Sequence, residues 1–312
     1  IGGVLASVSA LTAEYSNNQR RSACVSLVAA GYPLGVIVGG AIASVLLANF
    51  DWRAVFVFGG IVTAALIPLA WFLLPESVSY LLQRRPPDAL GRVNAILAVM
   101  GHDPIDQLPA PAMAPKRTGW AQLFTPELAR TTVLLTLAYL THIMTFYFIL
   151  KWVPKIVVDM GFTAAYAGSV LVWANVGGLA GALLLSALSQ RINARALVVV
   201  AMLGSTVMVN IFGQGQADLT QLALVAACAG FFTNSAVVGL YAILAQAFPD
   251  RARASGTGFV IGVGRGGAVL GPIIAGFLFE GGQGLATVAL VMSLGSLVAA
   301  AMILLSPTRA AA

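Results

Sequence analysis

Hydrophobic positions fill this chain in long blocks, and polar residues collect in the short gaps between them. A helix that crosses a bilayer needs about 20 mostly apolar residues. Blocks of that kind cover residues 23–48, 54–74, 131–152, 165–188, 196–213, 219–246, 255–279 and 284–305, and residues 1–15 read as the tail of one more. Strands of a membrane barrel would alternate apolar and polar side chains over about 10 residues, and these blocks do not alternate. The pattern predicts an all-α polytopic membrane protein with eight complete spanning helices and part of a ninth.

Composition narrows the class further. Of the 312 residues 59% are hydrophobic and only 9% are charged, whereas soluble domains carry roughly a quarter charged. The net charge of +6 does not point to nucleic acid, because the basic residues are strung through short gaps with no basic stripe. One set of gaps holds Arg20, Arg21, Arg84, Arg85, Arg92, Lys116, Arg117, Arg130, Arg191, Arg195, Arg251, Arg253 and Arg309; the opposite set holds Arg53, Lys151 and Lys155. The positive-inside rule then puts the first set in the cytoplasm. This predicts a multi-pass protein of the cell (inner) membrane with its central loop and C-terminus cytoplasmic. Cys24 and Cys228 sit in apolar context and read as packing residues. His102 is far in sequence from His142, and no Cys/His cluster suggests a metal; neither a cofactor nor enzyme chemistry is expected.

The stretch from Glu76 to Arg130 divides the chain. Leu90, Val93, Leu97 and Met100 recur at helical spacing there and predict a helix lying on the membrane surface. Pro104, Pro109, Pro111 and Pro115 then mark a linker. The two sides of this linker are related by a shift of 232 positions: Ala13 falls on Ala245, Arg21 on Arg253, Gly35 on Gly267, Gly39 on Gly271 and Pro75 on Pro307. Parallel repeats of this kind are a transporter architecture. The predicted domains are residues 1–75, the later part of a first half; 76–130, a cytoplasmic linker with its surface helix; and 131–312, a complete six-helix half. Matching halves imply roughly 100 further residues, about three helices, ahead of Ile1.

Arg265 is the basic residue that fits neither set of gaps. It lies about 18 Å along the helix from Arg253, counting ~1.5 Å per residue, which is near mid-depth. A charge there is costly and normally pairs with something inside the protein or in a water-filled path. No Asp or Glu lies well inside any apolar block. The partner is either a carboxylate outside these residues or an anionic ligand, since a guanidinium grips a carboxylate through two N–H donors. Tyr139, His142 and Phe146 share one face of the 131–152 helix. There His142 either meets a ligand or carries a proton, or it hydrogen-bonds a neighbouring helix.

Three stretches carry a family resemblance. The first runs from Ala13-Glu14-Tyr15-Ser16 through Arg20-Arg21 to Asp51-Trp52-Arg53 and Pro75-Glu76-Ser77. The second is Phe146-Tyr147-Phe148 to Lys151-Trp152-Val153-Pro154-Lys155, then Trp173-Ala174-Asn175-Val176-Gly177-Gly178. The third is Phe248-Pro249-Asp250-Arg251-Ala252-Arg253-Ala254-Ser255-Gly256, followed by Gly262-Val263-Gly264-Arg265 and Gly271-Pro272. Together they resemble the major facilitator superfamily, and within it the aromatic acid:proton symporter branch, over helices four to twelve. The resemblance implies a two-half helical bundle, here lacking the first three helices. It also implies alternating-access transport of a small organic, aromatic acid together with a proton, by a monomer. The loop at Ser189-Gln190-Arg191 departs from the family, which carries an Asp where Gln190 stands.

The resemblance also implies that the seventh and tenth helices line the central cavity. Phe231, Asn234, Val238 and Tyr241 form one face of the tenth, and a wall of this kind suits a flat organic anion; plain packing with Asn234 as interhelical glue is the alternative. The candidate substrate-binding residues are Arg265, His142, Tyr139, Phe146, Asn234, Tyr241, Asn175 and Trp173. Glu14 is expected to pair with Arg20 or Arg21. Lys151, Trp152 and Lys155 read as interface anchors. Gly31, Gly35 and Gly39, like Gly258, Gly262 and Gly266, have the spacing of close helix contacts, sliding or fixed. Two alternatives stay open: the same fold carrying a sugar-like or drug-like solute, and a truncated, non-transporting membrane protein.

Overall fold

The computed structural model describes residues 8, 11–12, 14–16, 21–109, 120–189, 191–216 and 218–307. Every regular element among them is helical. The chain forms two units, Ile1–Tyr32 with Asn49–Arg117 and Pro33–Ala48 with Thr118–Ala312. Helix α1 (Arg21–Asn49) passes from the first into the second and contains the predicted span 23–48. The predicted span 1–15 falls largely outside the described residues.

In the first unit α2 (Trp52–Leu73) buries none of its side chains. A helix apolar all round belongs against lipid or other helices rather than water. Its start is held locally. Asp51 accepts from the Arg53 amide at 3.0 Å and pairs with the Arg53 guanidinium, which lies over the Trp52 ring 4.7 Å from its centroid. Beyond Pro75, Ser77 caps α3 (Val78–Arg84) by accepting from the Tyr80 amide, and its hydroxyl donates to the Glu14 carboxylate at 2.9 Å. The Tyr15 hydroxyl donates to the Glu76 carbonyl, and Arg92 pairs with the Glu76 carboxylate. Glu14 thus has Ser77 among its partners. Arg20 lies outside the described residues, and so does the Arg21 side chain.

Helix α4 (Ala89–Val99) covers the stretch expected to be helical. Ala89 and Val93 are buried, as is Leu81 on α3; of the remaining apolar face, Leu90 and Leu97 are half-buried and Met100 is exposed. Val99 is 90% exposed at its end. The Asn94 side chain accepts from the Ile105 amide and donates to the Ile105 carbonyl. That two-way bond folds the start of the proline-rich segment back onto α4.

The second unit centres on α5 (Ala129–Asp159), which outlasts the predicted 131–152 because Pro154 sits in its interior without ending it. Around it stand α6 (Ala164–Leu188), α7 (Ala194–Gly213), α8 (Leu219–Ala247), α9 (Asp250–Gly264), α10 (Gly267–Glu280) and α11 (Leu285–Leu305). Hydrophobicity does not separate these helices from one another in lipid, so close packing decides where they touch. Helices α6 and α8 cross at Gly177 and Gly230. A methyl on Gly177 would strike the Ala227 carbonyl, and one on Gly230 the Ala174 carbonyl. Seven helices among the described residues, counting α9 and α10 as one, are long and apolar enough to cross a membrane.

The predicted segment 255–279 is not one straight helix. It breaks at Arg265–Gly266, where the Gly266 amide bonds the Val263 carbonyl at 3.0 Å and the Ala268 amide bonds the Arg265 carbonyl at 2.9 Å. These are i to i−3 bonds, a tightened turn of the kind found at helix irregularities. Four glycines, 262, 264, 266 and 267, surround the break, and glycine is the poorest helix former after proline.

Candidate functional site

The break between α9 and α10 puts Arg265 at the end of α9. The side chain is half-buried, and its guanidinium lies beside the hydroxyls of Tyr139 on α5 and Tyr241 on α8. The two hydroxyls are 2.9 Å apart and hydrogen-bonded, with the rings tilted at 54°. Three residues separated by up to 126 positions therefore meet at one point.

Local packing explains the meeting. Tyr139 is 1% exposed. Its ring lies against Gly264, where any side chain would collide with it. Gly267 and Gly271 bring α10 onto the α5 backbone at Leu140 and Met144. Arg265 is thus carried to α5 by glycines on both sides of the break. None of the ion pairs among the described residues includes it. The cluster presents N–H and O–H donors, and among the described residues no carboxylate pairs with its guanidinium.

The other predicted residues are placed differently. His142 is fully buried. Its Nε2 lies 2.9 Å from the Thr233 carbonyl and its Nδ1 2.9 Å from the Ser296 hydroxyl. A carbonyl only accepts, so Nε2 carries a proton, and both nitrogens are engaged. Phe146 is half-buried and stacks edge-on with Tyr147, centroids 5.4 Å apart. The Asn234 amide donates to the Gly178 carbonyl at 2.8 Å, tying α8 to α6. The Asn175 amide donates to Leu171 on its own helix, and Trp173 is 49% exposed. Tyr139, Tyr241 and Arg265 form one group; His142, Asn234 and Asn175 have their hydrogen bonds elsewhere.

Reading residues alone overlooked the polar brace around His142. Ser296 also bonds Ser205 at 2.9 Å, Thr145 donates to the Met292 carbonyl at 2.6 Å, and Asn210 donates to Ser293 at 2.6 Å. The available signal was a hydroxyl or amide in the middle of each of several apolar blocks, which is how membrane helices are commonly glued. Among the anchors, Trp152 donates to the Pro272 carbonyl and lies on the Phe279 ring, centroids 4.8 Å apart. Lys155 pairs with Asp159. Gly35, Gly39, Gly258 and Gly262 meet nothing within 4 Å among the described residues.

With this geometry in place, comparison with known proteins is informative. The model of the Major Facilitator Superfamily matches residues 1–212 and again 135–312. The chain belongs to that superfamily. It is an integral membrane protein of the transporter class, not an enzyme. A gallate transporter of Pseudomonas putida is 28% identical over 97% of this chain and 68% of its own length. The 4-hydroxybenzoate transporter PcaK of Acinetobacter baylyi is 29% identical over 89% and 62%. A benzoate transport protein of the same organism is 27% identical over 90% and 60%. The chain thus spans 60 to 68% of the length of these relatives. Among solved structures, the Escherichia coli fucose:proton symporter superposes with a TM-score of 0.63 at 12% identity, over 97% of this chain and 73% of that one. That likeness concerns the fold.

Proposed function

We propose that this chain belongs to a carrier that moves a small aromatic carboxylate across the cell membrane by alternating access, with Arg265 as the counter-charge for the carboxylate. One observation carries the reading. Arg265 lies within the apolar span Ser255–Glu280, at the break between α9 and α10, beside two phenols, and no described ion pair neutralises it. A charge so placed needs an anion. Phe146 and Tyr147 stand half-buried near Tyr139 in the same apolar cluster and offer flat faces to an aromatic ring. The names of the relatives, transporters of gallate, benzoate and 4-hydroxybenzoate, agree with that chemistry.

The remaining assignments follow the same reading. A proton accompanies the acid inward, as the family resemblance implies. His142 serves as a brace between α5, α8 and α11 rather than as the proton carrier, because its nitrogens are already engaged. Residues 1–75 and 131–312 belong to the two halves, with 76–130 as the linker. The carrier works as a monomer in the inner membrane, its linker and C-terminus cytoplasmic.

Counterflow in proteoliposomes tests the core of this. Vesicles preloaded with unlabelled benzoate should exchange it for labelled benzoate, saturably. Arg265→Ala should abolish exchange, while Arg265→Lys, which keeps charge but loses the fork, should retain roughly a tenth. Undiminished exchange in both variants would end the counter-ion assignment. Exchange of sugars in place of aromatic acids would transfer the fold to another cargo.

A further inference from the structure

The phenol protons at this site can be counted. Tyr139 and Tyr241 are joined by one hydrogen bond, 2.9 Å between oxygens, so one hydroxyl donates and the other accepts. The neighbouring guanidinium is a donor only and takes no proton from either. Among the described residues no other acceptor lies within hydrogen-bonding distance of the two hydroxyls. Two phenols bring two protons, and the pair uses one. One O–H is left without an acceptor among the described residues.

Burial says which. Tyr139 is 1% exposed, its ring closed in by Gly264. Tyr241 is half-buried. A proton with no acceptor among the described residues belongs to the hydroxyl that reaches the open side. Tyr139 therefore donates to the Tyr241 oxygen, and the Tyr241 proton points outward beside Arg265.

We infer that Tyr241 is the second donor to the transported anion and the residue that separates a carboxylate from its neutral amide. This rests on the reading of Arg265 as the anion's counter-charge. One carboxylate oxygen takes guanidinium N–H donors; the other takes the Tyr241 O–H. Both are charge-assisted bonds, the stronger kind. A carboxamide supplies one acceptor oxygen and turns its NH₂ toward the other position. There it meets an O–H whose oxygen already accepts from Tyr139 and faces a cation. Donor opposes donor, and a site built to donate is left unpaired. Polar sites reject analogues strongly for this reason.

The test uses the full chain in proteoliposomes with labelled benzoate, and unlabelled benzamide as competitor. In Tyr241→Phe the benzoate concentration for half-maximal exchange should rise about 10- to 30-fold, as expected for a lost charge-assisted hydrogen bond, with the maximal rate within about twofold. Discrimination against benzamide should fall by a similar factor. Tyr139→Phe should also weaken benzoate, because Tyr241 loses its partner, yet keep the discrimination, because the outward O–H remains. Melting of each purified variant guards against misfolding. Unchanged half-saturation and unchanged discrimination in Tyr241→Phe, with exchange still abolished in Arg265→Ala, overturn the donor role and leave the counter-ion standing. Equal loss of rate in both phenylalanine variants with lowered melting makes the pair structural and overturns it too. Absence of aromatic acid exchange in the parent protein overturns the reading beneath.

Discussion

Arg265 was visible in the sequence because a charge inside an apolar run has no cheap explanation. Tyr139 and Tyr241 were visible as members of aromatic helix faces. That the three touch was not, since contact between residues 102 positions apart depends on how the helices pack. The decisive small residue is Gly264, whose position admits the Tyr139 ring and nothing larger. Gly264→Ala should destabilise by about 1–3 kcal/mol, the usual range for overpacking, and should raise the half-saturation for benzoate. Gly258→Ala on the same helix meets nothing within 4 Å, so its melting temperature should match the parent, within about 0.5 kcal/mol. Thermal melts in detergent compare the two; equal melting of both variants would remove Gly264 from the account. His142 shows the opposite failure of legibility. Its residue type suggested proton chemistry, and its surroundings, Thr233 and Ser296, show a satisfied core histidine.

At the scale of elements, helix ends were legible where an aspartate or basic loop marks them, but not at Pro154, which α5 runs through. The break between α9 and α10 was not, because glycines inside a hydrophobic block leave hydropathy unchanged while weakening the helix. The α6–α8 crossing is the tightest statement of how this half is built, with Gly177 and Gly230 each facing backbone. Gly177→Val should separate these helices and destabilise by about 3 kcal/mol or more, read as loss of monodisperse protein and an early melt. Normal yield and melting in that variant would contradict the crossing. The end of α11 is held differently. Arg195 donates to the carbonyls of Leu304 and Ser306 as well as Ile303, and Arg130 donates to that of Leu305. These two arginines, each in the first turn of its helix and offered by the sequence only as topology markers, also satisfy carbonyls a helix terminus leaves open.

For the whole molecule, the asymmetry of loop charge yields a topology that labelling can check. On a background with Cys24 and Cys228 replaced by alanine, a cysteine at Asp103 should react with a membrane-impermeant maleimide only after the membrane is opened. One at Gln283, in the turn between α10 and α11, should react in intact cells. The reverse pattern would invert the assigned orientation. The repeat behaves unevenly: Gly267 and Gly271 pack on α5, while the related Gly35 and Gly39 meet nothing within 4 Å among the described residues. Sequence by itself determined the solvent, the all-helical class and the presence of a cation within an apolar span, because these follow from the cost of exposing polar groups to hydrocarbon, and that cost is read residue by residue. Tertiary structure alone decided which hydroxyls stand beside that cation, which histidine nitrogens are spent, and where a spanning helix breaks. Those outcomes depend on sub-ångström fit between backbones at glycine crossings, and no one-dimensional pattern records such a fit.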